Sequence, residues 1–220
     1  MWLEALPPGV EAGTGLRADA DVLLGYRPDR PTSGPLRMGP DCRVRSGSVL
    51  YRGTIIGARF QTGHHVVVRE DCRIGDDVCV WSGTVVDYGC RIGDQVKIHT
   101  SCYVAQFTEI ADGAFLAPAV AIANDLYPGD AASRDVMSGP RIGAGAQIGV
   151  NVTILPFVTI GDGALVGAGS TVTRDVPAGC VAYGSPAVVH GSVDDLVDVR
   201  ARVRPLDGSA SRYGLARETR

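Results

Sequence analysis

The stretch RIGDDVCVWSGTVVDYGCRIGDQV, residues 73–96, repeats a pattern of six: Ile74, Val80, Val86 and Ile92 lead each hexad, and Val78, Thr84, Cys90 and Val96 follow four residues later. The same phase runs without a break from Met38 to Ile122, through Val44, Leu50, Ile56, Thr62, Val68, Ile98, Val104, Ile110 and Leu116. The second position holds compact side chains such as Cys42, Ser48, Thr54, Val66, Cys72, Cys102, Thr108, Ala114 and Val120, with Phe60 as its bulky member. A helix repeats its apolar face at about 3.6 residues and an ordinary strand alternates at about 2, so a sustained period of six belongs to neither. It predicts a β-solenoid in which each hexad is one short strand plus a corner. Glycine follows the lead residue in Ile56-Gly57, Ile74-Gly75 and Ile92-Gly93, and Gly or Asp often stands at the next positions, where a tight corner tolerates little bulk.

Composition agrees with this reading and narrows the function. With 220 residues, 45% of them hydrophobic, the chain is long enough for one sizeable core. Its net charge of −3 gives no electrostatic reason to expect nucleic acid or an anionic membrane as partner. Glycine at 29 residues against Phe at 4 and Trp at 2 fits a thin, regularly turning β structure rather than a helical bundle. The opening Met1-Trp2-Leu3-Glu4 has no basic region before an apolar run, and no segment approaches a membrane span, so the expectation is a soluble cytoplasmic protein. Cys42, Cys72, Cys90 and Cys102 fall at the second inward position, where cysteine behaves as a small core residue. Cys79 and Cys180 fall outside the pattern, and no CxxC pair suggests zinc or a disulfide framework.

Hexads begin early, at Ala12-Gly13, Ala18-Asp19 and Leu24-Gly25. Between residues 27 and 37 a Pro-rich stretch shifts the phase by two and predicts a loop bulging from a corner. A second excursion spans residues 126–141, after which the hexads resume at Ile142, Ile148, Ile154, Ile160, Val166, Val172 and Ala178. A long loop inside a regular scaffold is more often functional than decorative. Pro177 and Gly184-Ser185-Pro186 end the array, residues 193–203 predict a short helix as terminal cap, and the polar tail beyond Pro205 lacks periodicity. The expected organisation is one β-helix domain over residues 1–190, with loops at 27–37 and 126–141, followed by a helix and tail over 191–220.

The hexad pattern resembles that of the bacterial hexapeptide-repeat acyltransferases, over roughly residues 10–190. The resemblance implies an all-β, left-handed parallel β-helix with three hexads per triangular turn; handedness comes from the resemblance, not from the periodicity. Further motifs make the chain similar to nucleotide-sugar N-acetyltransferases: Phe60-Gln61-Thr62-Gly63-His64-His65, Val68-Arg69-Glu70, Phe115-Leu116-Ala117-Pro118, Asn124-Asp125-Leu126-Tyr127-Pro128, Val166-Gly167-Ala168-Gly169-Ser170 and Gly184-Ser185-Pro186-Ala187. Two positions depart from those relatives: Gly129 replaces an arginine after the proline, and Ala111-Asp112 replaces an acidic pair. The resemblance implies acetyl-CoA as acyl donor, an amino-sugar acceptor, a homotrimer with sites between subunits, and no metal. Transfer to a hydroxyl is the alternative within the same class.

Acyl transfer from a thioester to an amine needs a deprotonated nucleophile, a group that orients it, and donors for the developing oxyanion. The resemblance places Asn124 at the acceptor amine with Asp125 beside it; both are also residues that satisfy corner backbone groups. His99 follows the lead Ile98 and points outward, on a different side of the prism from Asn124, so the two meet only if prisms pack side by side. His99 is then the candidate general base, with the coenzyme sulfur as the alternative proton acceptor. His64 and His65 lie on the side of His99 two turns away and, with Tyr127, are candidates for the acceptor pocket. Backbone amides near Gly143, Ala144, Gly161, Gly167 and Ala168 are candidates for the pantetheine arm, and Arg174 or Arg141 for the coenzyme phosphates. Two other classes use the same scaffold. A metal lyase like the γ-type carbonic anhydrases would recruit His64, His65 and His99, but Val104 stands where a further histidine is expected. A non-catalytic binding protein that keeps only the solenoid is the other.

Overall fold

The computed structural model describes residues 5–32 and 34–196. Each hexad contributes a strand of two to four residues, and the strands stack into three parallel sheets that enclose one core. The first sheet runs from Val10–Ala12 to Thr159–Ile160, the second from Arg17–Ala18 to Leu165–Val166, and the third from Leu23–Tyr26 to Thr171–Val172. Ile74 pairs with Ile92, Val80 with Ile98 and Val86 with Val104, each eighteen residues on, so three hexads make one turn. The lead residues are buried throughout, from Met38 to Val172.

The second inward position does more than fill space. Thr54 Oγ1 donates to the carbonyl of Arg69 (2.7 Å), Thr84 Oγ1 to that of His99 (2.7 Å), and the Cys72 and Cys90 thiols to those of Asp87 (3.1 Å) and Ala105 (3.2 Å). Each partner lies fifteen residues on, where the chain turns a corner and its carbonyl would otherwise be unpaired inside the prism. Compact Ser, Thr and Cys therefore recur there because they fit the corner and supply a donor. At the corner between the first and second sheets, Asp76, Asp94, Asp112 and Asp162 each accept a backbone N–H from the turn before, at 2.7–2.8 Å. The third residue after most leads is left-handed, as at Asp77 (φ 57°) and Gln95 (φ 59°), which favours Gly, Asp and Asn.

Both excursions leave the prism at one corner, between the third and first sheets. Val10 pairs with Leu36, twenty-six residues on, which accommodates the 27–37 loop. Glu109 pairs with Arg141, thirty-two residues on, which accommodates the 126–141 loop and its short 3₁₀ turn Ala132–Asp135.

The end of the array differs from the sequence expectation. The buried position of the last turn is Val176, bridged to Ile160, and Ala178 is exposed. The corner Thr173-Arg174-Asp175 is two residues shorter than its predecessors, because Val176 leads only four residues after Val172. The second sheet then closes with an antiparallel hairpin, Cys180–Gly184 and Ala187–Ser192, which covers the last turn where a helix was expected. Of the predicted helix over 193–203, Val193–Asp195 is a 3₁₀ turn with a Ser192 capping box, and residues 197–203 lie outside the described residues. The polar tail beyond Pro205 also lies outside them.

The register has a direct chemical check. Cys42, Cys72, Cys90 and Cys102 are buried, whereas Cys79 and Cys180 are partly accessible. Burial pushes the Cys42 and Cys102 thiols up, and hydrogen bonding with Cys72 followed by burial does the same to Cys90. Thiolates are the reactive species, so these cysteines are doubly protected. A bulky thiol reagent is expected to label Cys79 and Cys180 in the native protein and to leave the other four untouched until it unfolds. Rapid native labelling of Cys72 or Cys90 would mean that the strand faces are reversed.

Candidate acceptor site at the loop-bearing corner

Stacking at eighteen residues places Glu70, Tyr88, Gln106 and Asn124 above one another along the corner from which both loops emerge, with Arg69 and Asp87 in the adjacent column. Their side chains form a continuous polar ladder. Glu70, fully buried, accepts from Arg69 Nε (2.8 Å) and Nη2 (2.9 Å), and Arg30 of the first loop approaches it at 3.9 Å while its guanidinium lies 3.6 Å from the centroid of Tyr88. Arg69 Nη1 also lies 3.7 Å from Asp87 Oδ1. Asp87 is 7% exposed and accepts from the Tyr88 N–H (2.8 Å), the Tyr103 hydroxyl (3.0 Å) and Gln106 Nε2 (2.6 Å). Gln106 Oε1 in turn accepts from Asn124 Nδ2 at 2.7 Å, and the same nitrogen lies 3.6 Å from Met137 Sδ of the second loop.

Burial, and then the hydrogen bond to Asp87, push the Tyr103 hydroxyl up to about 12. Burial alone would raise the Glu70 carboxyl, but the hydrogen bonds from Arg69 and its own backbone N–H, with the charges of Arg69 and Arg30, hold it below the usual carboxylate range.

Beside Asn124 the second loop arches over a cavity of about 420 Å³ lined by Asp125, Leu126, Tyr127, Val136, Met137 and Phe157 among others. The cavity is mostly apolar, with Asn124 and Asp125 as polar groups at one wall. Asp125 Oδ1 accepts from the Tyr127 N–H (2.8 Å) and from the Ser133 hydroxyl, so this carboxylate organises the loop. Tyr127 is 71% exposed at the cavity edge.

The other residues singled out from the sequence are distributed around the prism. His64, His65 and His99 lie at the corner between the second and third sheets, away from Asn124. His64 Nδ1 shares a 2.6 Å hydrogen bond with Ser46 Oγ, and His99 sits between Trp81 (centroids 6.3 Å apart) and Phe115 (4.8 Å). Gly167 and Ala168 border a shallow apolar groove with Phe115 and Leu165. Gly143 and Gly161 border a broad groove on the first sheet with Arg73, Arg91 and Arg141. The Ala144 N–H is engaged by Asp162, and a Cβ on Gly143 would collide with the backbone of the next turn. Arg174 is exposed on the corner column that carries Asn124. Among the described residues no His, Cys, Asp and Glu cluster could hold a metal ion, and no helix is long and apolar enough to cross a membrane.

Asp87, Gln106 and Met137 were not singled out from the sequence. Counting back eighteen from Asn124 yields Gln106, and the neighbouring column yields Asp87; that arithmetic was the available signal. Met137 had none, since its loop has no periodicity.

Two stretches, residues 53–87 and 139–174, match the family described as bacterial transferase hexapeptide (six repeats). The bifunctional protein GlmU of Alkalilimnicola ehrlichii is 33% identical over 217 residues, covering 82% of this chain and 44% of the relative, so the chain spans less than half of that protein. The fold matches LpxA, a UDP-N-acetylglucosamine acyltransferase from Bacteroides fragilis, with a TM-score of 0.66 at 15% identity over 95% of this chain and 78% of that one. The perosamine N-acetyltransferase of Caulobacter crescentus, in complex with CoA and GDP-perosamine, is similar at 27% identity over 66% of this chain and 57% of that one, with a TM-score of 0.45. The chain is a hexapeptide-repeat protein, and its coil is the left-handed parallel β-helix of that family.

The buried end of the ladder is open to test by titration. A carboxyl held low in the folded state contributes stability that is present above its unfolded value, about 4.3 for Glu, and lost as pH falls through its folded value. Glu70→Gln is expected to lower unfolding free energy at neutral pH by about 1–3 kcal/mol, because charge-assisted hydrogen bonds to Arg69 weaken in a buried setting. The difference between variant and native protein should shrink as pH falls below about 4, where the native carboxyl is itself protonated. A difference that stayed constant over that range would mean that Glu70 is not an ionised partner of Arg69.

Proposed function

We propose that the protein transfers an acetyl group from acetyl-CoA to the amino group of a nucleotide-linked sugar, at the corner that carries Asn124, and that it does so as a homotrimer. The observation that carries this reading is the state of the Asn124 amide. Its nitrogen is turned towards Gln106 Oε1 and Met137 Sδ, which leaves Oδ1 as the group available to a substrate beside the cavity.

An amide oxygen accepts a hydrogen bond but is no base. It suits an amine, which keeps a hydrogen on nitrogen while its lone pair attacks the thioester carbonyl. In that step the N–C bond forms and the carbonyl oxygen becomes an oxyanion; the C–S bond then breaks and the thiolate leaves. Nitrogen acquires positive charge on attack, so its hydrogen bond to Oδ1 strengthens as the tetrahedral species forms, which is the condition for lowering the barrier. A hydroxyl has a single hydrogen, the one that must leave, and an amide oxygen cannot take it. The proton lost from nitrogen goes either to a histidine or to the departing thiolate.

The trimer supplies the histidine. His99 lies at a different corner from Asn124 within one chain, and only packing of prisms side by side brings the two corners together. The third sheet offers the surface for such packing: Leu23, Val49, Val67, Val85, Tyr103 and Ala121 form its outward row, with Leu23 50% exposed. His64, His65, Gly167, Ala168 and Arg174 then belong to the pocket and the coenzyme groove shared between neighbours, whereas Gly143, Ala144 and Gly161 border the separate groove on the first sheet and would meet the coenzyme only there. Asp125 and Tyr127 shape the loop over the acceptor.

Screening with acetyl-CoA and a panel of nucleotide-linked amino sugars, GDP-perosamine among them, tests the activity. On an active acceptor, Asn124→Ala is expected to depress kcat while acetyl-CoA binding is retained. His99→Ala is expected to cost about 10²–10⁴-fold in rate if it is the base. A loss under about fivefold would assign the proton to the thiolate, since a positioned base contributes more than that. Light scattering must first show both variants as trimers. Full activity in Asn124→Ala would contradict the site.

A further inference from the structure

An asparagine amide has two nearly isosteric orientations, and only one presents oxygen to the acceptor. The ladder behind Asn124 contains the group that decides between them. Every polar partner of Asp87 is a donor: the Tyr88 N–H, the Tyr103 hydroxyl, Gln106 Nε2 and, at 3.7 Å, Arg69. An ionised carboxylate accepts and cannot donate. Gln106 must therefore turn its nitrogen towards Asp87, at 2.6 Å, and its oxygen towards the next rung. Asn124 must answer that oxygen with nitrogen, at 2.7 Å, so its own oxygen is not used by the ladder, and the residue lines the cavity.

We propose that Asp87, through Gln106, sets the orientation of the Asn124 amide, so that a buried carboxylate two turns away keeps a hydrogen-bond acceptor pointed at the substrate amine. Asp87 and Gln106 are positioning residues; Asn124 is the residue that touches substrate. The inference rests on the reading that Asn124 meets the acceptor. Reversing the amide would place N–H groups against the N–H groups of the amine, a donor facing a donor, and would remove the hydrogen bond that strengthens during attack. The polarity runs from the charged end because the alternative direction would require Asp87 to carry a proton among four donors.

The sequence makes the test clean, since the chain has two asparagines, Asn124 and the exposed corner residue Asn151. Protein labelled with ¹⁵N only at asparagine therefore shows two side-chain amides. In the native protein the Asn124 amide hydrogens are expected to exchange with water roughly tenfold or more slowly than those of Asn151, because hydrogen-bonded groups exchange through opening. In Asp87→Asn the new amide can donate as well as accept, the ladder can run in either direction, and the difference should largely disappear. Turnover of the best amino-sugar acceptor from the panel should fall about 10–100-fold, the cost of misplacing a reacting group, with the KM for acetyl-CoA unchanged.

The double variant Asp87→Asn/Gln106→Glu moves the carboxylate one rung closer. The amide at 87 donates to it, it accepts from Asn124, and the outward oxygen is restored. Slow exchange and most of the lost turnover should return, which simple damage to packing would not produce. If Asp87→Asn does not fold, Gln106→Met removes the relay at its middle and should give the same gain in exchange. Equal exchange of the two asparagines in the native protein would overturn the proposal, as would a double variant no better than Asp87→Asn. Full activity in Asp87→Asn alongside an inactive Asn124→Ala would overturn the relay alone; full activity in Asn124→Ala would overturn the acceptor site with it.

Discussion

In-register parallel stacking governs this molecule. Because strands pair eighteen residues apart wherever no loop intervenes, each stacked side chain lies against its counterpart from the neighbouring turn. A residue that suits one turn must suit the next, so the interior becomes columns of Ile, Val, Leu and Thr, with donors from Ser, Thr and Cys closing the corner carbonyls. No buried side-chain nitrogen or oxygen among the described residues lacks a partner. The same rule acts outside the core. The aspartates between the first and second sheets form a ladder to backbone N–H groups, and neighbouring corners approach too closely for a Cβ at Gly75, Gly93 or Gly161, the residues before Asp76, Asp94 and Asp162.

At the corner between the third and first sheets, the stacked positions carry charged and amide side chains instead, and these bond to one another. Both loops leave the prism there and each contributes to one end of the ladder, Arg30 at Glu70 and Met137 at Asn124. The buried end is neutral as a group, with Arg30 and Arg69 facing Glu70 and Asp87. Such an arrangement desolvates charge without leaving it unpaired and makes the orientation of each rung depend on the one before. The other end, the half-buried Asn124, meets a cavity. Rigidity is therefore built from the scaffold outward, and the loop supplies the enclosure.

The hexads made the coil legible, because a period of six has few physical realisations and the lead residues keep their type from Met38 to Val172. Both loops were legible as breaks in phase. The final turn was not: the short corner Thr173-Arg174-Asp175 preserves the appearance of a hexad at Val172 and Ala178 while the backbone buries Val176. The closing hairpin was hidden because Val181 and Val188 belong to strands without hexad spacing. Asn124 and Asp125 were marked by their resemblance to a motif, yet their roles separate in the structure, one facing a cavity and one tying the loop. Asp87 and Gln106 look like ordinary corner residues one at a time. Their connection exists only when the chain is wound at eighteen residues per turn, and the amide-to-carboxylate polarity follows from side-chain chemistry rather than from any pattern of hydrophobicity.

The sites of Asn124 and of the histidines lie at different corners, so the position of a bound acceptor decides between them. The most direct measurement is a crystal structure of the protein with CoA and an active amino-sugar nucleotide. The acceptor nitrogen is expected within about 3 Å of Asn124 Oδ1, with the sugar beneath the 126–141 loop and His99 of a neighbouring copy facing it. A sugar seated against His64 and His65, with Asn124 Oδ1 turned away from its nitrogen, would contradict that arrangement.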